Sequence, residues 1–214
     1  MTVPAQRTPQ PERTRVMRAR LMQATIDCLV ERGWAGTTTT LVSERAGVSR
    51  GAQLHHFPSK RELVVASVQH LADQLNGDLE RRHDEAIHGR GHSTRKTLGL
   101  LADHFTSAIF VASLELWVAA RTDAELLEIV RPIERRWGRE EHRLAVELLG
   151  VDDSHPPTRA LVQGTLDMMR GFGLANTLSD DSRRRGRILA EWAELIDNNA
   201  RPAVAGAAPT GKAR

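Results

Sequence analysis

The stretch "AGVSRGAQLHHFPSK", Ala46 to Lys60, leaves this chain few ways to fold. Gly47 is free to take the left-handed conformation that ends a helix and turns the chain sharply. Ser49, two residues on, can cap a new helix with its hydroxyl. Pro58 disfavours helical backbone in the residue before it, so that helix must stop at Phe57. The spacing predicts two short helices joined by a three-residue turn, Gly47-Val48-Ser49.

The flanks extend the pattern. Leu21, Ala24, Thr25, Cys28 and Leu29 keep the i, i+3, i+4, i+7, i+8 spacing of an amphipathic helix, which Gly33 closes. In the run Thr37–Thr40, Thr38 is placed to cap a helix over about 39–46 with Val42 and Ala46 facing inward. Ser59 caps the next helix, whose apolar face is Leu63, Val64, Ser67, Val68, Leu71 and Leu75. Three helices with a tight turn between the second and third match a helix-turn-helix, whose last helix enters the DNA major groove. Arg50 on that helix can reach guanine edges with two hydrogen bonds. Gln53 either pairs with adenine or makes a structural hydrogen bond. His55 and His56 can meet bases or phosphates. Thr38, Thr40 and Ser49 offer hydroxyls and helix-start amides to phosphates, and Lys60 offers an ammonium to the DNA backbone. Adjacent histidines point about 100° apart on a helix, so His55 and His56 do not form a metal pair.

Charge agrees with an anionic partner at this end. Residues 1–64 hold ten Lys/Arg against five Asp/Glu, whereas residues 65–214 hold twenty against twenty-two. A single cysteine, Cys28, excludes an internal disulfide and suits a reducing, cytoplasmic setting. No run of eighteen apolar residues occurs, so no membrane span is expected.

At this point "TTLVSERAGVSRGAQLHHFPSKRELV" resembles the DNA-binding signature of the TetR family of bacterial transcription regulators. Gly33, Thr37–Thr38, the Ala46–Ser49 turn and His56-Phe57-Pro58-Ser59-Lys60 match together, over about residues 14–70. The resemblance implies a repressor that holds a palindromic operator as a homodimer and is released by a small-molecule ligand. It also implies that the remaining helices serve ligand binding and dimerisation. One position departs from the family pattern: Leu54 stands where a phosphate-contacting tyrosine is usual, and the chain has no tyrosine.

Beyond about residue 95, helical periodicity continues without any strand pattern, so the fold expected is all-α, with about nine helices. The polar "RRHDEAIHGRGHS" (81–93) reads as a connector. Leu98, Leu101, Ala102, Phe105, Ile109 and Phe110 read as one helix. The domain boundaries expected are a flexible arm over 1–13, a helix-turn-helix domain over 14–58, a helical ligand-binding and dimerisation domain over 59–199, and a disordered tail over 200–214.

His104, Phe105, Phe110, Trp117, Arg121 and Met168 are candidates for a largely apolar ligand pocket, or else ordinary core and rim residues. The last helix carries Ile188, Leu189, Trp192, Leu195 and Ile196, and the one before it Leu161, Leu166, Met169, Phe172 and Leu174. These stripes are candidates for a four-helix dimer interface, or for packing within one chain. His83, His88 and His92 lack both helical alignment and a nearby cysteine, so no metal is assigned. No cofactor motif appears, and neither a phosphate-binding loop nor a catalytic signature, so an enzyme is not expected. The competing reading is a helical protein–protein adaptor, which would leave the turn-to-Lys60 spacing and the basic end without a reason.

Overall fold

A computed structural model describes residues 10–88 and 93–203 of the chain. Among them are nine α-helices: α1 (Gln10–Gly36), α2 (Thr39–Ala46), α3 (Arg50–His56), α4 (Lys60–His88), α5 (Thr94–Phe105), α6 (Ala108–Ala120), α7 (Ala124–Leu149), α8 (Pro156–Asn176) and α9 (Ser182–Asn199). The all-α expectation holds, and among the described residues no single helix is long and apolar enough to cross a membrane. His92 and the side chains of His83 and His88 lie outside the described residues, as does most of the arm and of the tail.

Local chemistry sets the helix ends. Thr38 is extended and its hydroxyl accepts from Leu41 N at 3.2 Å, capping α2. Ser49 does the same for α3 through Ala52 N at 3.2 Å. Gly33 (φ 64°, ψ −176°) breaks the helical path near the end of α1. Three expectations need correction. The segment 81–88 continues α4, because its charged residues are good helix formers and the punctuating glycines come only afterwards. The helix read across Leu98–Phe110 is interrupted after Phe105, where Ser107 Oγ accepts from Phe110 N at 3.3 Å and opens α6. The start of the tail is ordered: Asp152 N donates to Arg201 O at 2.8 Å and Ala203 N to Gly150 O at 2.9 Å, around an antiparallel Val151–Pro202 bridge.

The chain packs as two compact units, one formed by residues up to Asp73 with Val111–Arg131, the other by Gln74–Phe110 with Pro132 onwards. The first has a core of Leu21, Met22, Ala24, Cys28, Val42, Phe57 and Leu63, with Val48 packed against it. The second buries Leu98, Leu101 and Phe105 of α5 with Leu144 and Leu148 of α7, Leu166 and Met169 of α8, and Leu189 and Ile196 of α9. Here α8 runs very close to the end of α5. A Cβ at Gly173 would stand 2.2 Å from the Phe105 carbonyl oxygen and 2.4 Å from a ring carbon of Phe110.

Candidate nucleic-acid interface

The turn between α2 and α3 is built as its residues require. Gly47 adopts φ 64°, ψ 37° and donates to Glu44 O at 3.1 Å, while Val48 N reaches back to Ser43 O at 2.9 Å. Two of the last four carbonyls of α2 are thus satisfied, and Val48 turns into the core. Phe57 ends α3, donating to Gln53 O at 2.8 Å while its ring is buried.

On the face of α3 left open, Arg50, Leu54 and His55 are exposed. Arg50 makes no hydrogen bond or ion pair among the described residues and keeps its fork of donors free. Thr38, Thr40 and Ser49 are exposed beside the N-termini of α2 and α3. The partial positive charge of helix starts and their unpaired amides suit them to phosphates. His56 is half-buried and packs edge-on to His55 with ring centroids 5.3 Å apart. Burial first, then His55 and Arg18, push its pKa below the usual histidine value.

Two sequence-derived candidates sit elsewhere. Gln53 is fully buried, and its Nε2 donates to Phe57 O at 2.7 Å, so it locks the end of α3 and does not face the groove. It points inward because it lies one turn before Phe57, on the core side of the helix. Lys60 is half-buried: its ammonium donates to Trp34 O and lies 4.3 Å above the Trp34 ring. Burial lowers its pKa, and the group fastens α4 to the end of α1 instead of standing free for phosphate.

Sequence reading also missed residues that hold the interface. Arg18 of α1 donates to His56 O at 3.2 Å and covers the Phe57 ring at 4.3 Å, pinning the far end of α3. Glu115 of α6 accepts from Trp34 N at 3.0 Å beside the Gly33 break. Arg61 of α4 forks between Asp123 at 2.8 Å and Glu125 at 2.6 Å. No local pattern announces these contacts, since each joins residues at least 38 positions apart.

In the second unit, His104 and Phe105 line a crevice too tight to admit a water molecule, with Asn76, Leu101, Glu141, Leu144 and Leu166. Phe110 packs on Phe105 with ring centroids 5.7 Å apart, behind the crevice. Trp117 and Arg121 belong to the first unit, Arg121 exposed past the end of α6, and half-buried Met168 is not part of the lining. The break after Phe105 puts His104 and Phe105 on a different helix from Phe110 and Trp117. Glu141 pairs with Arg170 at 2.7 Å, and burial raises its pKa against that pairing. A larger open groove of about 770 Å³ lies between α7 and α8, with Arg135, Arg139, Arg159 and Arg170 around it.

Burial lowers the pKa of His104 from 6.5 to about 4, and its Nδ1 has no hydrogen-bond partner among the described residues. The unfolded chain takes up this proton near pH 6.5 and the folded chain only near pH 4. Stability that is complete above the higher value is therefore lost as the pH falls toward the lower one, by up to about 3 kcal/mol. Urea titrations of the wild type and His104→Asn between pH 7 and 4 check this; a wild-type acid loss no larger than the variant's would overturn it.

The α8 and α9 residues divide in three. Leu166, Met169, Phe172, Leu189 and Ile196 are buried within the chain's own second unit, so they are not a free dimer face. Leu161 and Trp192 are half-buried, with Trp192 Nε1 donating to Thr165 Oγ1 at 2.9 Å. Leu174, Leu178 and Leu195 remain exposed at 54%, 89% and 39%.

Residues 21–67 match the family described as bacterial regulatory proteins, tetR family. The chain is 33% identical over 199 residues to the HTH-type transcriptional regulator CymR of Pseudomonas putida, covering 90% of this chain and 94% of that one. A crystal structure of a transcriptional regulator from Rhodococcus sp. Rha1 superposes with a TM-score of 0.68 at 23% identity, over 86% of this chain and 97% of the other. The multidrug binding protein EbrR, in complex with imidazole, superposes with a TM-score of 0.56 at 21% identity, over 82% and 94%.

Proposed function

This chain belongs to the TetR family and is a DNA-binding transcriptional regulator, and from that premise we propose that it represses by gripping a palindromic operator as a homodimer and lets go when a small molecule enters its second unit. The observation that carries this is the open face of α3, with Arg50 unpaired and His55 beside it, held by a turn and two capped helix starts. Arg50 reads guanine from the major groove, His55 and His56 meet bases or phosphates, and Thr38, Thr40 and Ser49 seat the helices on the phosphates.

Residues 14–58 form the reading domain and residues 59–199 the sensing and dimerisation domain, between the arm 1–13 and the tail 200–214. The dimer face is the apolar surface still free on α8, α9 and the turn between them, led by Leu174, Leu195 and Leu178. The effector is small and largely apolar, and it enters by widening the crevice at His104 and Phe105. The related fold of EbrR, a protein that takes imidazole, supports a small molecule there. Release requires that the effector bind the non-reading conformation more tightly than the reading one, and only that difference moves the equilibrium. The protein works in the cytoplasm, without a metal, cofactor or catalytic step.

The test is selection of bound duplexes from a random pool at two salt concentrations. A palindrome, bound with affinity that falls steeply as salt rises, is the expected result. Absence of both a motif and salt dependence would leave the adaptor reading. In the same assay Arg50→Ala is expected to lose about 1–3 kcal/mol of preference for the selected site over random DNA. Equal losses on both would remove Arg50 from base reading.

A further inference from the structure

We infer that Leu54 reads a thymine by its methyl group, making this leucine a specificity-determining residue of the DNA site. The inference rests on α3 being the groove-reading helix. Leu54 is 43% exposed on a helix of seven residues, and it lies four residues after Arg50, hence on the same face one turn further along. Its side chain offers neither donor nor acceptor, so it cannot hold a phosphate or a base edge by a hydrogen bond. What a leucine can meet in the major groove is the C5-methyl group that only thymine presents there.

The neighbours strengthen the assignment. Gln53, the adjacent polar side chain that could have paired with adenine, is turned into the core and bonded to Phe57 O. Arg50 and His55 are thereby left as the exposed side chains that can hydrogen-bond to base edges from α3, and Leu54 stands between them in sequence. One turn of helix advances ~5.4 Å, between one and two base steps of ~3.4 Å. The thymine read by Leu54 therefore lies within two base pairs of the guanine read by Arg50, and each half-site of the operator carries both.

The experiment starts from the motif selected by the full-length protein. Each of its thymines is replaced singly by deoxyuridine, which keeps every hydrogen-bonding group and lacks only the methyl. Affinities are measured for the wild type and for Leu54→Ala, whose position at the surface leaves the fold intact. Removing one methyl at the contacted thymine is expected to weaken wild-type binding roughly fourfold, the worth of one buried apolar carbon. At that position Leu54→Ala binds thymine and uracil duplexes alike, and at every other thymine the two proteins respond in parallel. Deoxyuridine tolerated everywhere by the wild type overturns the inference without needing the variant. A methyl effect that survives unchanged in Leu54→Ala overturns it as well. Failure to select any motif would sink the groove-reading assignment of α3 itself, a result distinct from a motif whose methyl groups are not read.

Discussion

Replacing Gly173 by alanine is expected to cost the second unit about 3 kcal/mol or more, at the upper end of what overpacking does to a core. The added carbon would fall 2.2 Å from the Phe105 carbonyl oxygen and 2.4 Å from the Phe110 ring. The first of these is backbone and cannot rotate away, so α8 and the end of α5 must separate. Phe105 and Phe110, packed edge-to-face, would be disturbed together. The contrast lies two residues earlier, where Gly171 on the same helix has open space around its missing Cβ. Gly171→Ala is expected to stabilise the helix by about 0.5–1 kcal/mol, because alanine gives up less backbone freedom on folding. Urea unfolding of both variants decides the matter. Stabilisation by both would mean that helix propensity, not the close approach, governs this stretch of α8.

Gly33→Ala is expected to cost the first unit about 2–4 kcal/mol, of which the backbone conformation accounts for about 1–3. At φ 64° and ψ −176° an L side chain is strained whatever the space, and here the space is also taken. A Cβ would meet a carboxylate oxygen of Glu115 at 2.8 Å, the same oxygen that accepts from Trp34 N. Introducing Glu115→Ala alongside should recover the contact share and leave the backbone share. Full recovery in thermal unfolding would show that the conformation itself costs nothing. The loss would reach DNA affinity too, because Trp34 O is the acceptor that positions Lys60 at the start of α4.

Where the sequence was legible, the determinants were short-range. Thr38, Gly47, Ser49 and Pro58 each act on residues within a turn of themselves, so the frame of α2 and α3 followed from single side chains. The break between α5 and α6 escaped because apolar spacing runs through it from Leu98 to Phe110, and neither glycine nor proline marks it. Its signal was a hydroxyl: Ser107, placed to cap the helix that follows. Gln53 was ambiguous for a different reason, since polarity suggests a groove while position relative to Phe57 dictates the core. The α8 and α9 stripes show the limit of periodicity, which identifies a buried face but not whether the same chain or another buries it. Arg18, Glu115 and Arg61 carry no sequence mark at all, because their partners are chosen by tertiary folding.

The core of the first unit holds the chain's one thiol, Cys28, fully shut off from solvent. A sealed cysteine is a clock. A thiol-reactive dye can reach it only when that core comes apart, so the slow rise of labelling in native conditions counts openings of the DNA-reading unit. The same sealing leaves the described surface without a free thiol. A cysteine introduced at an exposed position is then the one fast-reacting handle on the molecule, and probes can be attached for distance measurements without first removing a native thiol.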